Sequence, residues 1–207
     1  MNKKNLFATT LLVATLFSNV SFGQAWEKSS KVLGLGLGAS SFWYINTNSN
    51  GYNGISTPIT GQLNFKMEFG VHEYVGVGFQ TGVGGGGPIG LGGGWGTRGY
   101  YGGYYYGYGY NGSFNFPIAA YANFHFYQLI ADKTGKDIHA DKLDIYAGLN
   151  VGSGVGVLFF DNSTLITPLV IFGPQVGARY FFTDKFGVNL EIGYGKNIVN
   201  GGIVFKL

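Results

Sequence analysis

From Thr57 to Gly70 the sequence alternates without a break. Ile59, Leu63, Phe65, Met67 and Phe69 fall on one side of an extended chain, and Thr60, Gln62, Asn64, Lys66 and Glu68 on the other. A period of two is the signature of a β-strand whose faces meet different surroundings. Whatever fold this chain adopts must give such a strand an apolar environment on one side and a polar one on the other.

Seven further segments read in the same way. Val32 to Ile45 sets Leu33, Leu35 and Leu37 against Gly34, Gly36 and Gly38, and Tyr74 to Val83 sets Val75, Val77 and Phe79 against Gly76, Gly78 and Gln80. Ser113 to Tyr127 places Phe116, Ile118, Ala120, Ala122, Phe124 and Phe126 opposite Asn115, Ala119, Tyr121, Asn123 and His125. Pro117, which has no N–H to give a ladder, is expected near a strand end or bulge. Lys142 to Phe159 opposes Leu143, Ile145, Ala147, Leu149 and Val151 to Asp144, Tyr146, Gly148 and Asn150. Pro168 to Phe182, Phe186 to Gly195 and Val199 to Leu207 complete the set.

Eight strands of roughly 9 to 15 residues have the length of tilted strands that cross a bilayer. Tight links at Val71 to Glu73 and Thr183 to Lys185 alternate with longer ones at Asn46 to Ser56, Gly84 to Gly112 and Asp161 to Thr167. That is the short-turn, long-loop asymmetry of membrane barrels. Gln128 to Asp141, long on the turn side, and Lys196 to Ile198, short on the loop side, depart from it.

Composition decides which face is outside. Charged residues form only 11% of the chain and aromatics 17%, so the polar faces, built of Gly, Asn, Gln, Ser and Tyr, are too poor in charge to solvate a soluble lipocalin-like barrel. The expected fold class is therefore all-β: an eight-stranded antiparallel up-and-down transmembrane β-barrel, apolar outside and polar inside.

The first residues agree. Lys3 and Lys4 precede an apolar stretch from Leu6 to Phe17, and Ser21-Phe22-Gly23 puts small residues where a signal peptidase reads. The stretch is shorter than the roughly 20 residues of a membrane-spanning helix. Residues 1–23 are expected to be a signal peptide, with cleavage before Gln24, and residues 24–207 the barrel domain. Without Lys3 and Lys4, the 13 basic residues become 11 against 10 acidic ones, a balance that gives no reason to expect a nucleic-acid partner. With no cysteine, there is neither a disulfide framework nor a thiolate metal site.

Charges on the inward faces come from several strands and carry both signs: Lys66, Glu68, Asp144, Arg179, Glu191 and Lys206. Isolated, they would be costly in a narrow interior; paired, they are tolerable, so a charge network is expected. Arg179 and Glu191, on neighbouring strands at a similar distance from the tight turn that joins them, are the expected pair. Trp43 and Tyr44 at one end, and Phe69, Tyr74, Phe126, Tyr127, Tyr180, Phe182 and Phe186 at the other, form candidate aromatic girdles.

The run Gly177-Ala178-Arg179-Tyr180-Phe181-Phe182-Thr183-Asp184-Lys185-Phe186-Gly187-Val188, with Glu191 to Gly195 and the terminal Gly202 to Leu207, resembles the closing hairpins of small outer-membrane barrels related to the OmpA transmembrane domain and OmpX. The signal followed by Gln24 resembles exported proteins of the Bacteroidota. The resemblance implies outer-membrane lipid as surroundings, both termini in the periplasm of a Gram-negative cell, and insertion by the barrel-assembly machinery. That machinery reads a terminal aromatic residue, where this chain has Leu207.

Between Gly84 and Gly112 lie 15 of the 38 Gly and 7 of the 15 Tyr. Trp95, Arg98, Tyr100, Tyr101, Tyr104, Tyr105, Tyr106, Tyr108 and Tyr110 make this outward loop a candidate surface for an extracellular ligand or partner, since Tyr on a Gly-rich backbone supplies stacking area at low entropic cost. Gly34-Leu35-Gly36-Leu37-Gly38 lies within a strand and opens no helix, so it is no dinucleotide loop. Its inward glycines instead make room for bulky neighbours such as Tyr121, Tyr146 and Phe181. His72, His125 and His139 share no metal-ligand spacing and no matched Ser and acid, so neither a catalytic centre nor a cofactor is expected. The sequence thus points to a barrel scaffold presenting surface loops. A narrow channel for water or small solutes is the alternative, and a lipid-modifying enzyme a further one.

Overall fold

The computed structural model describes residues 24–47, 53–56, 59–86, 110–136, 138–160 and 163–207. The expected signal peptide, residues 1–23, lies outside the described residues. So does most of the Gly/Tyr-rich loop.

Ten strands and one helix follow in order: β1 (Lys31–Ser41), β2 (Trp43–Thr47), β3 (Asn53–Ser56), β4 (Ile59–His72), β5 (Val75–Gly86), β6 (Tyr110–Phe124), α1 (Phe126–Thr134), β7 (Leu143–Phe160), β8 (Ser163–Phe181), β9 (Phe186–Gly193) and β10 (Asn197–Lys206). β1 pairs with β4 and β10, and neighbours continue through β5, β6, β7 and β8 until β8 meets β9, which returns to β10. The ring is closed, all-antiparallel and eight strands round. β2 and β3 prolong β1 and β4 as a hairpin that also pairs with β8 through Trp43–Val170 and Tyr44–Leu169.

Closure gives each of the eight ring strands a partner on both sides, which is what allows strands to stand in hydrocarbon. The alternation in the sequence becomes alternation between lumen and exterior. On β4, Gln62, Asn64, Lys66 and Glu68 are buried while Leu63 and Phe69 are exposed; on β9, Asn189 and Glu191 are buried while Leu190 and Ile192 are exposed. Leu37, Leu149, Val151, Ile166, Phe172 and Ile192 all stand more than half exposed on the outer wall. A soluble monomer rarely shows contiguous apolar patches beyond a few hundred Å². Here the apolar surface is carried by every strand of the ring.

Four local expectations change. The link assigned to Asp161–Thr167 shrinks to two residues, because β8 begins at Ser163 and pairs with β7 up to Phe160–Ser163. Pro117 sits mid-strand rather than at an end, paired with Gly154 on one side. On its other side the β5–β6 ladder is interrupted between Thr81–Ile118 and Gly84–Asn115, where a missing N–H costs nothing. The segment from Phe126 is helical rather than strand and link. Its helix ends on Gly135 in the left-handed conformation (φ 60°), whose N–H bonds the carbonyl of Ala131 at 2.9 Å. Finally, Lys206 is only half-buried at the barrel rim, its Nζ donating to the carbonyl of Gln24 at 2.5 Å, so it stands apart from the interior charges.

Both ends of the described chain lie at one mouth of the barrel, where the N–H of Leu207 bonds the carbonyl of Lys31 at 2.9 Å. There the segment from Gln24 to Ser30 crosses the opening. Ser29 donates to Gly70 (2.8 Å), Gly70 to Ser30 (2.7 Å) and Ala25 to Ala140 (2.9 Å). These bonds carry Trp26 into the lumen, where it is fully buried.

Candidate functional site

An eight-stranded barrel has an interior just wide enough for side chains to fill. Two layers of side chains fill the half nearest the termini. In the lower layer, Glu68 of β4, Asp144 of β7 and Arg179 of β8 converge with His125, which follows β6. Arg179 ion-pairs with Glu68 through Nη2, and its Nη1 donates to Asp144 Oδ2 at 3.4 Å. His125 stands between the same carboxylates, Nδ1 at 2.8 Å from Asp144 and Nε2 at 3.1 Å from Glu68. The guanidinium also lies over the Tyr146 ring, 4.3 Å from its centroid. Trp26 stacks on the open face of the imidazole, centroids 3.6 Å apart and planes 5° from parallel.

The layer above is built on Lys66 and Glu191, which form a second ion pair. Tyr146 donates from its hydroxyl to Glu191 at 2.7 Å, and Lys66 lies over the Tyr121 ring at 4.6 Å. Gln175 ties the layers together, donating to Asn123 at 2.7 Å, while Asn123 donates to Glu68 at 2.9 Å. Lys196, fully buried, donates to Asn64 at 2.6 Å, and Asn64 to Asn200 at 2.9 Å. Toward the loop end the polar chain continues through Ser40, Gln62, Asn115 and Thr60. Beside it an apolar group of Phe42, Ala119, Leu158, Leu169 and Ile171 occupies the lumen.

Glycine is what lets these layers close. A Cβ on Gly177 would stand 2.5 Å from the Tyr146 ring, and one on Gly76 would meet Trp26 at 2.7 Å and the Glu68 carboxylate closer still. One on Gly78 would meet the Tyr121 ring at 2.7 Å. Gly34 differs, since a Cβ there would find only ordinary contacts with Lys66 and Val204.

Of the charges singled out in the sequence, Lys66, Glu68, Asp144, Arg179 and Glu191 meet in the lumen and Lys206 does not. The expected Arg179–Glu191 pair is replaced. Across the β8–β9 ladder Arg179 faces Asn189 and Glu191 faces Gly177, and each charge turns across the lumen to a partner on β4. Sequence reasoning missed Trp26, His125 and Lys196. His125 was placed on the polar face by its parity but not joined to the charges, whereas Trp26 and Lys196 sit outside the alternating segments and gave no signal.

Chemically, this is a packed charged plug. Both nitrogens of His125 are engaged by carboxylates and its ring is covered, so no lone pair remains for a substrate. Trp95, Arg98, Tyr100, Tyr101, Tyr104, Tyr105, Tyr106 and Tyr108 lie outside the described residues. Tyr110 opens β6, its backbone paired with Phe160. Of the expected girdle, Phe69, Tyr180, Phe182 and Phe186 stand on the outer wall near the termini, and Phe182 and Phe186 are ring neighbours at 6.1 Å.

No protein-family model matches the sequence, and no curated protein matches it either. Solved structures do resemble the fold. The N-terminal β-barrel domain of OprF from Pseudomonas aeruginosa aligns over 87% of this chain and 98% of its own, with 12% identity and a TM-score of 0.51. Neisserial surface protein A aligns over 86% and 97%, with 10% identity and a TM-score of 0.46. The attachment invasion locus protein Ail of Yersinia pestis aligns over 86% and 95%, with 13% identity and a TM-score of 0.41. These neighbours are eight-stranded outer-membrane barrels, and the fold this chain shares is that of the OprF barrel domain.

Proposed function

We propose that this chain is an outer-membrane scaffold of a Gram-negative cell: residues 1–23 direct export and are removed, and residues 24–207 form a barrel with both termini in the periplasm. Its working surface is the set of loops at the far mouth, above all the Gly/Tyr-rich segment from Trp95 to Tyr110. The observation that carries this reading is the inverted polarity of the ring, in which Leu, Ile, Val and Phe stand outward on every strand around a lumen of buried Asn, Gln and ion pairs. Such a surface belongs in hydrocarbon. The lumen supports a scaffold over a channel, because the glycines that might have left a bore are filled by Tyr121, Tyr146 and Trp26. Its partners are then outer-membrane lipid, the barrel-assembly machinery during insertion, and an extracellular ligand or surface met by the loops; no catalysis and no cofactor are involved.

Deleting Trp95 to Tyr110 tests the role of the loops. Cells carrying the deletion at equal surface level should lose adhesion or surface binding conferred by the intact protein, and unchanged binding contradicts a recognition role. In planar bilayers the intact protein should give no stable conductance; reproducible steps would replace the scaffold by the channel.

A further inference from the structure

Helix α1 turns a polar side chain toward the barrel and leaves an apolar one, Ile130, exposed. Its buried position is polar: Gln128, 3% exposed, turns toward the barrel and donates to Asp132 at 3.2 Å, which Gln24 of the crossing segment also approaches at 3.4 Å. The face opposite it carries three apolar side chains beside two exposed polar ones, Lys133 and Thr134. At 100° per residue Phe126 and Ile130 lie nearly opposite Gln128, flanked by Leu129 and Lys133. Ile130 is 46% exposed, and Phe126 and Leu129 are half-buried. A helix packed on a protein by its apolar face would bury Ile130 and Phe126 and turn Gln128 to water.

The outward face is also continuous with the lipid-facing wall. Phe124, 42% exposed on that wall, precedes the helix by two residues, so the apolar row runs from β6 through Phe126 to Ile130. Lys133, exposed one turn from Leu129, is placed to carry its ammonium from an apolar face to a phosphate layer, as long basic side chains do at membrane boundaries.

We infer that α1 lies in the boundary of the bilayer at the terminal end of the barrel, with Phe126, Leu129 and Ile130 among the phospholipid acyl chains and Lys133 at the headgroup phosphates. This rests on the reading of the barrel as membrane-spanning and goes beyond it, because a helix joining two strands at the barrel mouth could equally face water. The occupant of the helix face is lipid, and the helix fixes how deep that mouth sits.

The chain has no cysteine, so single-cysteine labelling is clean. Ile130→Cys and, as reference on the outer wall, Leu149→Cys would each carry a polarity-sensitive fluorophore, with the full chain folded into phosphatidylcholine vesicles. Brominated acyl chains should quench both labels, and aqueous iodide should quench neither strongly. Quenching of the Leu149→Cys label by brominated lipid, with the Ile130→Cys label open to iodide and untouched by lipid, overturns the placement of α1 and leaves the barrel reading intact. That outcome would give the face to water or to a periplasmic protein. If neither label is quenched by lipid, both readings fall.

Discussion

The imidazole of His125 lies flat against the indole of Trp26, with 3.6 Å between ring centroids and 5° between planes, and the two are sealed together beneath the lumen. Trp26 is held there by a segment that makes no barrel strand but is tied to Gly70, Ala140 and Lys206. The indole that covers the charged plug therefore comes from the N-terminal end of the described chain, while the charges come from the ring.

Replacing Trp26 by alanine should leave the ring intact and weaken it. Burial of an indole is worth about 3–5 kcal/mol when it is truncated in a packed site. Urea titration of the protein in vesicles should show a loss in that range with strand content unchanged. An unaltered midpoint would mean that the indole does not hold the mouth.

The ion pairs give a second test. Glu68→Gln removes the carboxylate that Arg179 and His125 share, leaving buried cations short of a partner. Breaking such a pair costs about 3–5 kcal/mol, while removing both members costs much less than the sum. In a double-mutant cycle Glu68→Gln and Arg179→Met should therefore couple strongly; additive losses would contradict a desolvated pair.

Alanine at Gly177 and at Gly34 should behave oppositely. The first forces its Cβ into the Tyr146 ring, which is held by Glu191 and covered by Arg179, and should cost about 1–3 kcal/mol. The second meets only ordinary contacts and should stay within about 0.5 kcal/mol. Equal effects at the two positions, read by the same urea titration, would show that interior glycine is not chosen for space.

Much of this was legible in the sequence, and the reason is physical. The two-residue period survives because each strand separates the same two environments from end to end, so Thr60 to Phe69 read correctly residue by residue. What failed was everything set by the ring rather than the strand. Arg179 and Glu191 are close along the hairpin, yet ring closure brings β4 across the lumen and both charges pair there. Helix α1 escaped because Phe124, His125 and Phe126 continue the strand alternation into it, and nine residues with a polar buried face do not show the usual amphipathic pattern. The surplus length of β8 was hidden because the polar residues between Asp161 and Thr167 read as loop and Pro168 as a strand start.

Arginine at position 149 tests the outer wall. Leu149 is 57% exposed on β7, and a cation there should cost about 2–4 kcal/mol in a bilayer if it stands near mid-depth. In a water-soluble barrel the same exposed substitution would stay within about 0.5 kcal/mol. Folding free energies measured in vesicles separate the two.

The inverted polarity of the ring is the central claim, and electrophoresis of the protein extracted from the membrane fraction tests it most directly. A closed barrel that folds in lipid should remain in the outer-membrane fraction and migrate differently in SDS before and after boiling. Identical mobility in both samples, together with release into the soluble periplasmic fraction without detergent, would contradict the account.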